Sequence, residues 1–167
     1  MAGAALLSAC SPTYDWREVP GTDAPYIASF PAKPATHSRA IDLNGMKVTM
    51  TMTAAQVEDI TFAVGSVPAA DAKTSLASVN AMKTAMVKNI GGTVRHEKML
   101  PPALNQLQVI DVEATGKAAG NNPGQSLILF ARFIAKPDRA YQLIVIGPEQ
   151  AVPREEVDMF FSSFKAN

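Results

Sequence analysis

The chain has 167 residues, 47% apolar and 18% charged, a composition that fits one ordinary globular domain and excludes a disordered chain. Fifteen Lys and Arg balance fifteen Asp and Glu, so no basic excess exists to release counterions from a nucleic acid or to hold the chain to anionic lipid. The single cysteine excludes an internal disulfide and a cysteine-pair zinc site, and beyond the first ten residues no apolar run approaches the roughly 20 residues of a membrane-crossing helix.

The first ten residues, Met1-Ala-Gly-Ala-Ala-Leu-Leu-Ser-Ala-Cys10, are apolar or small throughout. Their last four, Leu7-Ser8-Ala9-Cys10, resemble the lipobox of bacterial lipoproteins. In that family a lipid is attached to the cysteine and cleavage falls just before it. The resemblance implies a signal segment over 1–9, lipidation at Cys10 and a membrane anchor through that lipid. Small side chains at Ser8 and Ala9 suit a signal-peptidase groove. No Lys or Arg precedes the apolar stretch, and nine residues are few for a signal, a departure that an upstream start or a trimmed chain accounts for. Ser11 in place of Asp after the cysteine implies, in Gram-negative lipoproteins, the outer membrane, with the chain facing the periplasm.

Residues 10–25 read as the lipidated cysteine and a tether, since Pro12, Pro20, Gly21 and Pro25 punctuate them. Trp16, the only tryptophan, is expected to pack on the domain and pin that tether. A single domain is expected over 26–167. Tyr26 to Phe30 is a short strand stopped by Pro31. Ser38 to Asp42 runs into Asn44-Gly45, after which Val48, Met50 and Met52 alternate with Thr49, Thr51 and Thr53, which predicts a β-hairpin. Ile60 to Gly65 is a further strand.

At Asp71 the period changes. A carboxylate there caps a helix, and Leu76, Val79, Met82, Met86 and Ile90 recur at steps of three and four until Gly91-Gly92 ends it. Strands follow at 93–99, 107–114, 126–134 and 139–146. The last two are apolar on both faces and therefore central, and the short link Ala135 to Asp138 makes them an antiparallel hairpin. A final helix begins near Pro153, with Glu155 and Glu156 at its positive end and Val157, Phe160, Phe161 and Phe164 as its apolar stripe.

The fold class is thus α+β: an antiparallel sheet of about six to seven strands with helices packed on it. This layout resembles the PsbP-like α/β/α sandwich, shared by the photosystem extrinsic protein PsbP and small bacterial envelope lipoproteins of the DcrB type. The residues that carry the resemblance are Tyr26-Ile-Ala-Ser-Phe30-Pro31, the Asn44-Gly45 hairpin and Met86-Val-Lys-Asn-Ile-Gly-Gly92, followed by Arg139-Ala-Tyr-Gln-Leu-Ile-Val-Ile-Gly-Pro148 and Phe160-Phe-Ser-Ser-Phe-Lys165. Members of that fold are mostly non-catalytic binding or assembly proteins, so the resemblance implies architecture more than activity.

Candidate chemistry is sparse. His96 lies between Arg95 and Glu97, and His37 in a Pro-rich loop; each reads as a solvated residue, and neither belongs to a metal-ligand spacing. No nucleophile elbow and no glycine-rich phosphate loop occurs. Asp111 and Glu113 alternate on one strand and leave the same face, where two carboxylates share a proton or a hard cation or stand as ordinary surface charges; the latter is the expectation. Glu58-Asp59 reads as a turn. The methionines offer thioethers, which suit soft metals, yet they fall on stripes that must be buried and read as gap-filling core. The stretch 117–125 is a long connection. No catalytic, metal or cofactor-binding residue is expected, and no cofactor. The expected function is a non-catalytic, lipid-anchored envelope protein that binds a protein partner or assists its assembly and does not bind nucleic acid. The alternative is a periplasmic small-ligand or metal-binding module.

Overall fold

The computed structural model describes residues 12–120 and 122–167; the expected signal segment 1–9 and Cys10 lie outside the described residues. In chain order the elements are β1 (Arg17–Pro20), β2 (Tyr26–Phe30), β3 (Ala35–Leu43), β4 (Met46–Val57), β5 (Ile60–Pro68) and α1 (Ala72–Asn89). They continue with β6 (Thr93–Leu100), β7 (Gln108–Lys117), β8 (Ser126–Lys136), β9 (Arg139–Pro148), α2 (Arg154–Ser163) and β10 (Lys165–Ala166).

A seven-stranded sheet runs in the order β3-β4-β5-β9-β8-β7-β6, and every pairing in it is antiparallel. The N-terminal half builds β3-β4-β5 as a meander. Helix α1 then carries the chain to the far edge, and β6 to β9 return as a second meander that docks β9 on β5. Residues of β5, β8 and β9 are buried on both faces, as the apolar runs require. A three-stranded sheet, β1-β2-β10, lies apart.

Each face of the large sheet has its own core. On one, Ala63, Val67, Leu129, Ala131, Phe133, Ala135, Ala140 and Ile144 meet Val79 and Met82 of α1. On the other, Phe62, Val64, Phe130, Tyr141, Leu143 and Val145 meet Val157, Phe160 and Phe161 of α2 together with Tyr26, Ala28 and Phe30 of β2. Helix, sheet, and helix with small sheet therefore form three layers, and the α+β class read from the sequence is the class observed.

Local chemistry sets the element ends. The Asp71 carboxylate accepts from Thr74 N at 2.7 Å, which caps α1; the Thr74 side chain and then its N–H hold that carboxyl below its ordinary pKa. Gly91, at φ +53°, closes the helix in the left-handed region, its N–H donating to Lys88 O at 2.9 Å. Asn44 and Gly45 both take positive φ, which gives the β3–β4 hairpin the twist its strands need.

Three expectations are corrected. The stretch 10–25, read as a tether, contains β1, which pairs with β2, so the ordered fold starts before position 26. Trp16 explains this: its ring packs edge-on against Phe62 with centroids 5.9 Å apart, and its Nε1 donates to Glu156 at 3.1 Å. His37 stands on β3, which begins at Ala35 directly after Pro34 and pairs His37 with Met52. On α1 the buried face includes Ser75 and Ser78, while Leu76 and Met86 are only partly buried. The alanines beneath let the helix approach closely, and both hydroxyls find acceptors, Arg139 O and Thr74 O, each at 2.9 Å.

Burial also leaves a pH signature. Tyr141 is fully buried, and its hydroxyl is pushed up to about 12 because burial penalises the phenolate; Tyr26 is raised for the same reason. A folded-state value above the ordinary value of about 10 gives stability that is complete below that pH and is lost as pH climbs from about 10 through 12. Urea midpoints at pH 9 and pH 11.5 check this, with a smaller fall expected for Tyr141→Phe than for the parent chain. Equal falls would refute it.

Candidate functional site

The residues singled out on β7 occupy a cleft where α2 lies over the outer strands of the sheet. Asp111 and Glu113 leave the same face, as their spacing requires. Across the sheet Asp111 stands between Lys98 on β6 and Arg132 on β8, and Glu113 between His96 and Phe130. Arg154, Val157, Asp158 and Phe161 of α2 complete a cleft of about 180 Å³.

The two carboxylates do not join forces. Asp111 accepts two hydrogen bonds from Arg132, 2.7 Å from Nε and 2.8 Å from a terminal nitrogen, a forked pair whose side chains are 31% and 24% exposed. Glu113 accepts from Arg154 at 2.5 Å. Each guanidinium also covers a ring: Arg132 lies 5.0 Å from the centroid of Phe161, and Arg154 4.6 Å from that of Phe130. The Arg154–Glu113 pair and the two ring contacts tie α2 to the sheet, while Asp111–Arg132 joins the neighbouring strands β7 and β8. A hard cation needs convergent, unengaged carboxylates, which this arrangement does not offer. Among the described residues no group of three or more His, Cys, Asp or Glu is placed to hold a metal ion.

His96 and Lys98 sit exposed at the rim and make no hydrogen bond to a described residue through their side chains, so His96 is the solvated strand residue its neighbours predict. Glu58 and Asp59 form the β4–β5 turn. The stretch 117–125 links β7 to β8 and is tied at its ends by Ala118 N to Gln125 O at 2.8 Å. Cys10 lies outside the described residues.

Arg132 and Arg154 were not singled out in the sequence, yet both carry a signal. Arg132 is the one charge inside the apolar run Leu127 to Ile134. Arg154 places a cation at the positive end of a helix, which is unfavourable without a carboxylate opposite.

A second surface lies along β6. This strand pairs only with β7, so its outer backbone edge is free among the described residues. Pro101 and Pro102 end it. The following loop is fastened by Ala103 N to Gln106 Oε1 at 2.9 Å and Leu107 N to Ala135 O at 2.8 Å. That fixed loop holds Leu104 91% exposed; Met99 on β6 is 58% exposed and Leu107 38%. A large apolar side chain held exposed on a tied-down loop, next in sequence to a free strand edge, marks a contact surface.

No protein-family model matches the chain, and no curated protein matches it.

Proposed function

We propose that the chain is a non-catalytic, lipid-anchored protein of the bacterial envelope that holds a protein partner along the free edge of β6. The observation that carries this reading is Leu104, held in water by a loop that hydrogen bonds fix on both sides. An extended segment of the partner adds to β6 through backbone hydrogen bonds, and its apolar side chains meet Met99, Leu104 and Leu107. The balance of charge argues against nucleic acid as that partner.

The lipobox resemblance at Cys10 supports the anchor and the periplasmic side, and Ser11 favours the outer membrane. The helix–sheet–helix layering supports the resemblance to the PsbP-like fold. The mutual pairing of the charges in the α2 cleft supports a non-catalytic role, since neither carboxylate is left as a base. It also weighs against a small polar ligand in that cleft.

Site-specific photocrosslinking in intact cells tests the partner surface. A photoreactive residue at Leu104 is expected to give one discrete adduct, lost when Met99→Glu is added, whereas the same probe at Ala40 on the opposite sheet edge gives none. Equal labelling from both edges, or an adduct that survives Met99→Glu, would remove β6 as the docking strand.

A further inference from the structure

Two methionines of β4 and two of α1 line one cleft of about 290 Å³, open at the β3–β4 side of the sheet. Met50 and Met52 alternate on their strand and leave the same face; Met82 and Met86 stand one turn apart on the helix. Gln142 enters from β9, almost wholly buried. Its side-chain nitrogen donates to Met50 Sδ at 3.7 Å and to Met52 Sδ at 3.6 Å. Thioethers are weak acceptors, so this buried amide holds two sulfurs together without satisfying itself well.

The sheet makes room for the arrangement. Gly65 of β5 stands between Met52 and Gln142 in register, and a Cβ there would come within 2.6 Å of Met52 Sδ and 2.9 Å of Gln142 Nε2. Met50 and Met82 are buried, whereas Met52 and Met86 are only partly so and border the open space. Core filling asks nothing of sulfur at that border, where leucine would pack as well.

We propose that this cleft binds a soft monovalent cation, Cu(I), through the thioether sulfurs of Met50, Met52, Met82 and Met86. The donors are neutral and polarisable, which suits Cu(I) and gives hard or borderline divalent ions no reason to shed water. Arg39 and Asp42 at the mouth cancel in formal charge, so selection rests on the sulfurs. The site shares no residue with the β6 surface and stands whether or not that surface binds a protein.

The test uses the full chain with Cys10→Ser, so that no thiol competes, carrying 13C-labelled methionine methyl groups. Ag(I) serves as the redox-inert probe. Of the eight methionines, those at 50, 52, 82 and 86 are expected to shift together and saturate at one equivalent, while exposed Met99 and Met159 hold still. Anaerobic competition for Cu(I) against bicinchoninate is expected to show roughly tenfold or greater weakening, about 1.4 kcal/mol, in Met52→Leu/Met86→Leu, a change that nearly conserves volume. No shift at one equivalent, shifts of Met99 and Met159 as large as those in the cleft, or an unaltered affinity in a folded double variant would each overturn the site.

Discussion

Phe160→Ala is expected to cost the domain about 3–5 kcal/mol, the range for emptying a buried aromatic site. Phe160 is fully buried, and its ring meets Phe30 at 5.5 Å, Phe62 at 5.6 Å and Phe161 at 6.1 Å between centroids. It touches Phe62 of the large sheet and Phe30 of β2, so the cavity it leaves is lined by both. A domain of this size holds about 5–15 kcal/mol in all, and the variant keeps little in reserve. Urea denaturation gives the answer as a fall in midpoint at constant slope. Met159→Ala, at an exposed neighbour on the same helix, is expected to stay within about 0.5 kcal/mol. A loss below about 1 kcal/mol at Phe160 would mean that α2 is not core.

The second large effect concerns location. Cys10→Ser in the full chain is expected to move nearly all of the protein from the membrane fraction to the soluble periplasmic fraction. No described helix is long and apolar enough to cross a bilayer, and the charges balance; under the proposed reading the acyl chains at Cys10 supply the attachment. Each buried methylene contributes about 0.8 kcal/mol, and stable anchoring takes more than one chain. Cell fractionation checks the shift, and intact-mass measurement of the parent protein checks the modification. A free thiol on the parent chain, or a serine variant that has lost residues 1–9 and still sediments with membrane, refutes the anchor.

Much of the architecture was legible because it rests on short-range rules. Asp71, Gly91 and the Asn44-Gly45 turn each answer a local demand of the backbone, and the apolar runs of β8 and β9 state their own burial. What escaped was what depends on partners distant in the chain. Trp16 lies 140 residues from Glu156, its hydrogen-bond acceptor, and nothing near it in sequence announces the small sheet it helps to order. Ser75 and Ser78 are buried although the apolar spacing picks out Leu76, Val79 and Met82, because their burial depends on the surface the helix meets.

The same limit applies to function. The spacing of Asp111 and Glu113 put them on one face, yet whether they face each other or two arginines depends on β8 and α2. The methionines read as filler one at a time; only the fold puts four of them around one opening. Leu104 gave no periodic signal, since its exposure comes from a loop whose hydrogen bonds join residues on either side.

The junction between β5 and β9 has a consequence for how the chain matures. Those strands lie side by side, Thr61 opposite Ile146, though a helix and three strands separate them along the chain. A polypeptide that emerges N-terminus first completes its opening meander long before its central neighbour arrives, and for that interval β5 presents a bare apolar edge. Such long-range closure makes folding slow and the half-made sheet prone to clump. In vectorial synthesis that edge stays unpaired until the chain has reached position 148, the end of β9.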